Sequence, residues 1–181
     1  MTLTGFVTAI AAVTLAGVLL YNGLVRARLR VREAWSAIDV QLQRRASLIP
    51  NLVESVKGYA EYERGTLRRV VEARTALGNA ATPAAAARAN DDLTGALGTF
   101  FAIAEAYPDL KANQRFAQLQ TDLTDTENKV AFARNYYNGA VEAYNIKVQS
   151  FPGMLLARPL GFPSAEFFTA DGQPSLRFMG S

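Results

Sequence analysis

VREAWSAIDVQLQRRASLIPNLVESVKGYA, Val31 to Ala60, is the stretch on which the fold turns. Val31, Trp35, Ile38, Leu42 and Ile49 recur at spacings of four, three, four and seven, which is one face of an amphipathic helix. Gln41, Gln43, Arg44 and Arg45 fall largely off that face. Pro50 interrupts the stretch: it has no N–H to donate, and it disfavours helix at Ile49. The pattern therefore predicts a helix ending near residue 48, a break or sharp kink within Leu48–Asn51, and a second helix from Pro50.

Working toward the N-terminus, Met1 to Val25 carries no charged side chain. Leu3 to Val25 is apolar on every side, and about 20 apolar residues suffice to cross a bilayer. A buried core helix and a cleavable signal peptide are the competing readings. The signal peptide wants a basic flank ahead of a short apolar core, and only Met1 and Thr2 precede this run. A retained transmembrane anchor over residues 1–25 is the expectation.

Arg26, Arg28, Arg30 and Arg32 follow at once, spaced by two, which distributes them around a helix axis. Such a collar suits lipid headgroups, with the side-chain stems lying along the helix. A nucleic-acid surface would want a one-sided stripe, so no nucleic-acid partner is expected. The chain's net charge is +3, and residues 26–45 hold six arginines against Glu33 and Asp39. The basic character thus belongs to one short segment, and Glu33 and Asp39 are natural partners for the collar. By the positive-inside rule the body lies in the cytoplasm and the N-terminus outside, as for a single-pass protein of the bacterial inner membrane.

Toward the C-terminus, Leu52, Val56, Tyr59, Glu63, Leu67, Val70 and Leu77 continue a helical seam to Gly78-Asn79, residues suited to a left-handed cap. Thr82-Pro83 reads as an N-cap and first-turn proline. Leu93, Leu97, Phe100, Ile103 and Tyr107 form a third seam, which Pro108-Asp109 breaks. Asn113 caps a fourth helix, where Phe116, Leu119, Leu123, Thr126, Val130, Ala133, Tyr137, Val141, Tyr144 and Val148 alternate threes and fours. The expected fold is all-α: a transmembrane helix continuing into an antiparallel four-helix bundle over 26–150, with helices about 26–48, 50–78, 83–107 and 113–150. Residues 151–181, with four of the seven prolines and five of the ten phenylalanines, are expected to form an irregular tail that packs on the bundle or on a neighbouring subunit.

The chain has no histidine and no cysteine. That removes the commonest general base, the thiolate nucleophile and the commonest zinc ligands. No Gly-rich phosphate loop or serine nucleophile motif is present. Asp122, Asp125 and Glu127 are the densest acids, read as a solvated helix face because a helix offers no loop to wrap an ion. Asp91-Asp92 is read as sitting near a helix start, where the macrodipole favours it. No enzyme activity, cofactor or metal is expected.

Tyr21-Asn22-Gly23-Leu24-Val25, the run from Ala34 to Ala60, AEAYPDLKAN from Ala104, LQTDLTDTENKVAFARNYYNGAVEAYN from Leu119 and the FP and GF…FF tail together resemble the LemA family. The resemblance covers nearly the whole chain in order. It implies a bacterial membrane-associated protein with one N-terminal span and a cytoplasmic helical bundle, some relatives being linked to internal membrane organisation, and it implies no reaction. Two functions follow as expectations: a self-associating membrane scaffold, or an adaptor for an integral membrane partner such as a membrane protease. Homo-oligomer contacts are expected at Trp35, Arg44, Arg45, Phe151, Phe162, Phe167 and Phe168, because apolar surface beyond one core marks interfaces. Tyr-Asn-x-x-Val recurs at 21–25, 137–141 and 144–148, and is read as a repeated packing and hydrogen-bonding unit.

Overall fold

The computed structural model describes residues 3–59 and 64–170, all helix, turn or coil, with no strand among them. Glu63 of the second seam and Pro174 and Phe178 of the tail lie outside the described residues. Six α-helices follow in order: α1 (Leu3–Ser55), α2 (Arg64–Gly78), α3 (Pro83–Ala104), the single turn α4 (Pro108–Lys111), α5 (Gln114–Gln149) and the short α6 (Gly153–Ala157). A 3₁₀ turn, Lys57–Tyr59, follows α1.

The expected break at Pro50 does not occur: α1 runs through it to Ser55. Proline inside a helix costs about 3 kcal/mol through its missing hydrogen bond and ring clash. Against that stand Ile49, Leu52 and Val56, all buried at a spacing of three and four. Ile49 and Leu52 share one face of the continuing α1, with Val56 directly after its end, and each is worth about 1.5–3 kcal/mol when buried. Packing therefore outweighs the local penalty, and the gap between helices moves beyond Ser55. The third helix ends at Ala104, before the expected Tyr107. Tyr107 precedes Pro108 and takes a non-helical backbone (φ −114°, ψ 87°).

The two predicted N-caps are in place. Thr82 Oγ1 accepts from the Ala85 N–H at 3.2 Å, with Pro83 in the first turn. Asn113 Oδ1 accepts from the N–H groups of Arg115 (2.9 Å) and Phe116 (3.3 Å). These bonds satisfy donors that a helix start leaves without intrahelical partners.

The described chain divides into two units, the first from residues 3–35 and 137–165, the second from 36–59, 64–136 and 166–170. In the second unit, Arg45 of α1 meets Asn90 and Thr94 of α3, and Val56 lines the same small cavity as Phe100 and Ala104. These segments of α1 and α3 therefore run in the same direction. Thr66 to Ala76 of α2 lines one cleft with Asp91 to Thr99 of α3. Phe116 of α5 stacks edge-on to Phe100 and Phe101, while Arg134 pairs with Asp91, so α5 runs opposite to α3. Four helical segments thus close an antiparallel bundle with short connections.

In the first unit, residues 3–23 of α1 are mostly exposed, Leu3, Phe6, Val7, Ile10, Val13 and Leu15 among them. This helix is long and apolar enough to cross a membrane. Leu24 and Ala27 then pack with Tyr144, Val148, Ala157 and Phe162 in a separate small core.

Candidate functional site

Arg45 lies inside the second unit, with 1 % of its surface exposed. Nη1 donates to Asn90 Oδ1 at 2.7 Å and to Thr94 Oγ1 at 2.9 Å. Nη2 stands 3.6 Å from Glu127 Oε2. Burial pushes the guanidinium below its ordinary value, and Glu127 and Asp91 oppose that shift. Arginine's ordinary value is so high that the group stays charged at neutral pH. Its Nε is buried without a hydrogen-bond partner. Among the described residues Asn90 and Thr126 are the other buried polar side chains, and Thr126 Oγ1 donates a hydrogen bond to the Leu123 carbonyl at 2.8 Å.

The signal for this layer was in the spacing. Arg45 fills the vacant seam position between Leu42 and Ile49, and Asn90 stands between the buried Ala86 and Leu93. Three helices thus bring a polar residue to a seam position. Arg45 ties α1 to α3 through Asn90 and Thr94 and reaches Glu127 of α5, so it joins three helices.

Asp91 is not at a helix start, since it falls in the third turn of α3, and the macrodipole does not account for it. It accepts from Arg134 Nη2 at 3.0 Å. Arg134 in turn lies over the Phe168 ring at 5.3 Å. Asp39 accepts from Gln43 Nε2 at 2.7 Å, a partner on its own helix face and not a collar arginine. Asp122 accepts from Gln118, and Asp125 pairs with Lys129 at 2.7 Å. Among the described residues no group of three His, Cys, Asp or Glu is placed to hold a metal ion.

A second cluster belongs to the first unit. Tyr144 Oη donates to the Pro163 carbonyl at 2.8 Å. Asn145 makes a paired clip: Nδ2 donates to the Ala165 carbonyl at 3.0 Å, and the Ala165 N–H donates to Oδ1 at 2.8 Å. The Tyr-Asn pair of one motif copy therefore packs and hydrogen-bonds as expected. In the preceding copy, Tyr137 stands edge-on to Trp35 with centroids 5.6 Å apart. Tyr21 meets Phe162 edge-on at 5.8 Å, and the Arg28 guanidinium covers that ring at 5.7 Å.

Arg26, Arg30 and Arg32 are exposed, whereas Arg28 is half-buried against Phe162. Of the residues expected at an oligomer contact, Arg45, Phe162 and Phe168 are buried within their own chain. Arg44 and Phe151 are exposed, and Trp35 and Phe167 are half-buried.

A LemA family profile matches residues 34–177. Protein LemA of Metamycoplasma hominis is 27 % identical over 154 residues, covering 83 % of this chain and 69 % of the relative. Magnetosome proteins are similar as well. MamQ 2 of Paramagnetospirillum magneticum is 26 % identical, covering 82 % of this chain and 64 % of the relative. MamQ of Magnetospirillum gryphiswaldense is 25 % identical over the same shares of the two chains, 82 % and 64 %. The chain therefore spans about two thirds of the length of the curated relatives it matches.

Proposed function

This chain belongs to the LemA family, and from that membership and its exposed surfaces we propose a non-enzymatic, membrane-anchored scaffold that self-associates and organises a membrane or envelope process. Membrane association is common ground with the family and with the exposed apolar part of α1. The arginine collar supports a bacterial inner-membrane orientation with the N-terminus outside and the bundle in the cytoplasm. The lack of histidine and cysteine supports a role without catalysis.

One observation carries self-association. On α5, Phe132 (78 % exposed), Tyr136 (51 %) and Ile146 (58 %) face outward. With Gly139 and Ala143, also exposed, they recur at four, three, four and three. At 100° per residue this stripe lies on the side of α5 opposite its buried seam. A solvated face would be polar there; a second heptad-like seam suits the same face of another copy.

The test is the mass of the full-length protein in detergent, by size-exclusion with light scattering. The expected result is an oligomer that becomes smaller in a Phe132→Glu, Tyr136→Glu, Ile146→Glu variant while helical circular dichroism is kept. A monomer at micromolar concentration overturns the reading. A stoichiometric foreign membrane protein in a pull-down, without self-association, favours the adaptor instead.

A further inference from the structure

Residues 151–160 expose apolar side chains where a solvated turn would expose polar ones. Phe151 is 77 % exposed and Leu155 62 %, with Met154 and Leu160 also outward. The inner side of the same segment is seated: Gly153 and Ala157 are buried. A β-carbon at Gly153 would strike the Lys147 carbonyl and stand 4.0 Å from Leu24 Cδ2. Phe151, Pro152 and Gly153 share a cleft of about 240 Å³ with Leu19, Leu20, Gly23 and Leu24 of α1.

That placement fixes the level of the segment along α1. Leu19 to Val25 is the last stretch of the uncharged run, about 9 Å at 1.5 Å per residue. Arg26 begins the collar directly after it. A segment packed at this level beside a membrane-crossing helix lies within the lipid interface, where amphipathic elements bury their apolar face about 5–10 Å deep. Charge agrees with the level: from Ala143 to Ala165 there is no acid, while Lys147 and Arg158 are present and exposed.

We propose that residues 151–160 form a second membrane contact: Phe151, Met154, Leu155 and Leu160 enter the same leaflet as the end of the α1 span, with Lys147 and Arg158 against anionic phospholipid headgroups. This rests on the membrane-anchored reading of α1. One span leaves a protein free to tilt and rotate about its axis. A wedge clamped to the span by Gly153 and Phe162 removes that freedom and sets how the first unit meets the bilayer.

The chain has no cysteine, so single labels are straightforward. Full-length Leu155→Cys, Val13→Cys and Ala131→Cys variants are each labelled with NBD and reconstituted in vesicles of phosphatidylcholine and phosphatidylglycerol. Shallow doxyl lipids are expected to quench the label at 155, with a blue-shifted emission and loss of iodide quenching relative to 131. Position 13 reports the span itself. If 155 is as open to iodide as 131 while 13 is protected, the wedge is wrong and the anchor stands. If 155 is protected from iodide but not quenched by lipid, protein and not bilayer covers it, and the wedge is again wrong. If position 13 is open to iodide, the anchor reading fails and the wedge with it.

Discussion

Arg45 Nη1 donates a 2.7 Å hydrogen bond to Asn90 Oδ1, joining α1 to α3 across 45 residues of sequence inside a bundle core. The same nitrogen reaches Thr94, and Glu127 at 3.6 Å lies at the more exposed end of the group. A buried charge of this kind is secured by its hydrogen bonds more than by the distant, half-exposed carboxylate.

Arg45→Ala is therefore expected to destabilise the bundle by about 3–5 kcal/mol, because it leaves a buried amide unpaired and a cavity behind. Arg45→Met combined with Asn90→Leu should recover most of that loss, since a matched apolar pair has nothing to desolvate. Glu127→Gln should change stability by less than about 1 kcal/mol. Thermal unfolding of the detergent-solubilised chain, followed by circular dichroism, ranks the three.

Pro50 is exposed and lies within a continuous helix. Pro50→Ala restores a backbone donor and removes no packing, so it should raise stability, by up to about 3 kcal/mol. An unchanged melting temperature would show that the proline carries no penalty at this point of α1, and a lower one that it is needed there.

The Asn145 clip holds the segment after Phe162 through two hydrogen bonds to Ala165. Asn145→Ala should cost about 1–3 kcal/mol at roughly 1 kcal/mol per bond. Faster hydrogen exchange at the Ala165 amide, with exchange in α3 unaltered, is the expected signature.

Gly153→Ala places a β-carbon against the Lys147 carbonyl, a backbone atom that cannot swing aside. Overpacking of this type costs about 1–3 kcal/mol. Exchange should quicken across residues 157–165, and equal exchange in variant and parent would show that the segment yields freely.

Neighbours three or four residues apart encode much of this fold. The uncharged run before Arg26, the seams of α3 and α5, the Thr82 and Asn113 caps and the stop after Gly78 all depend on contacts within one or two turns. Helical period and capping chemistry are local, so they are legible without a partner. Tertiary structure alone decided the rest. Pro50 stays helical because Ile49, Leu52 and Val56 gain more from a common core than the proline ring takes away. Arg45 turns inward because Asn90 and Thr94 on another helix accept its hydrogen bonds. Phe162 and Phe168 close on their own chain because Tyr21 and Arg28, and separately Arg134, meet their rings. In each case the deciding partner lies far away in sequence or the balance is set by core burial, and neither is written into the local pattern of residues.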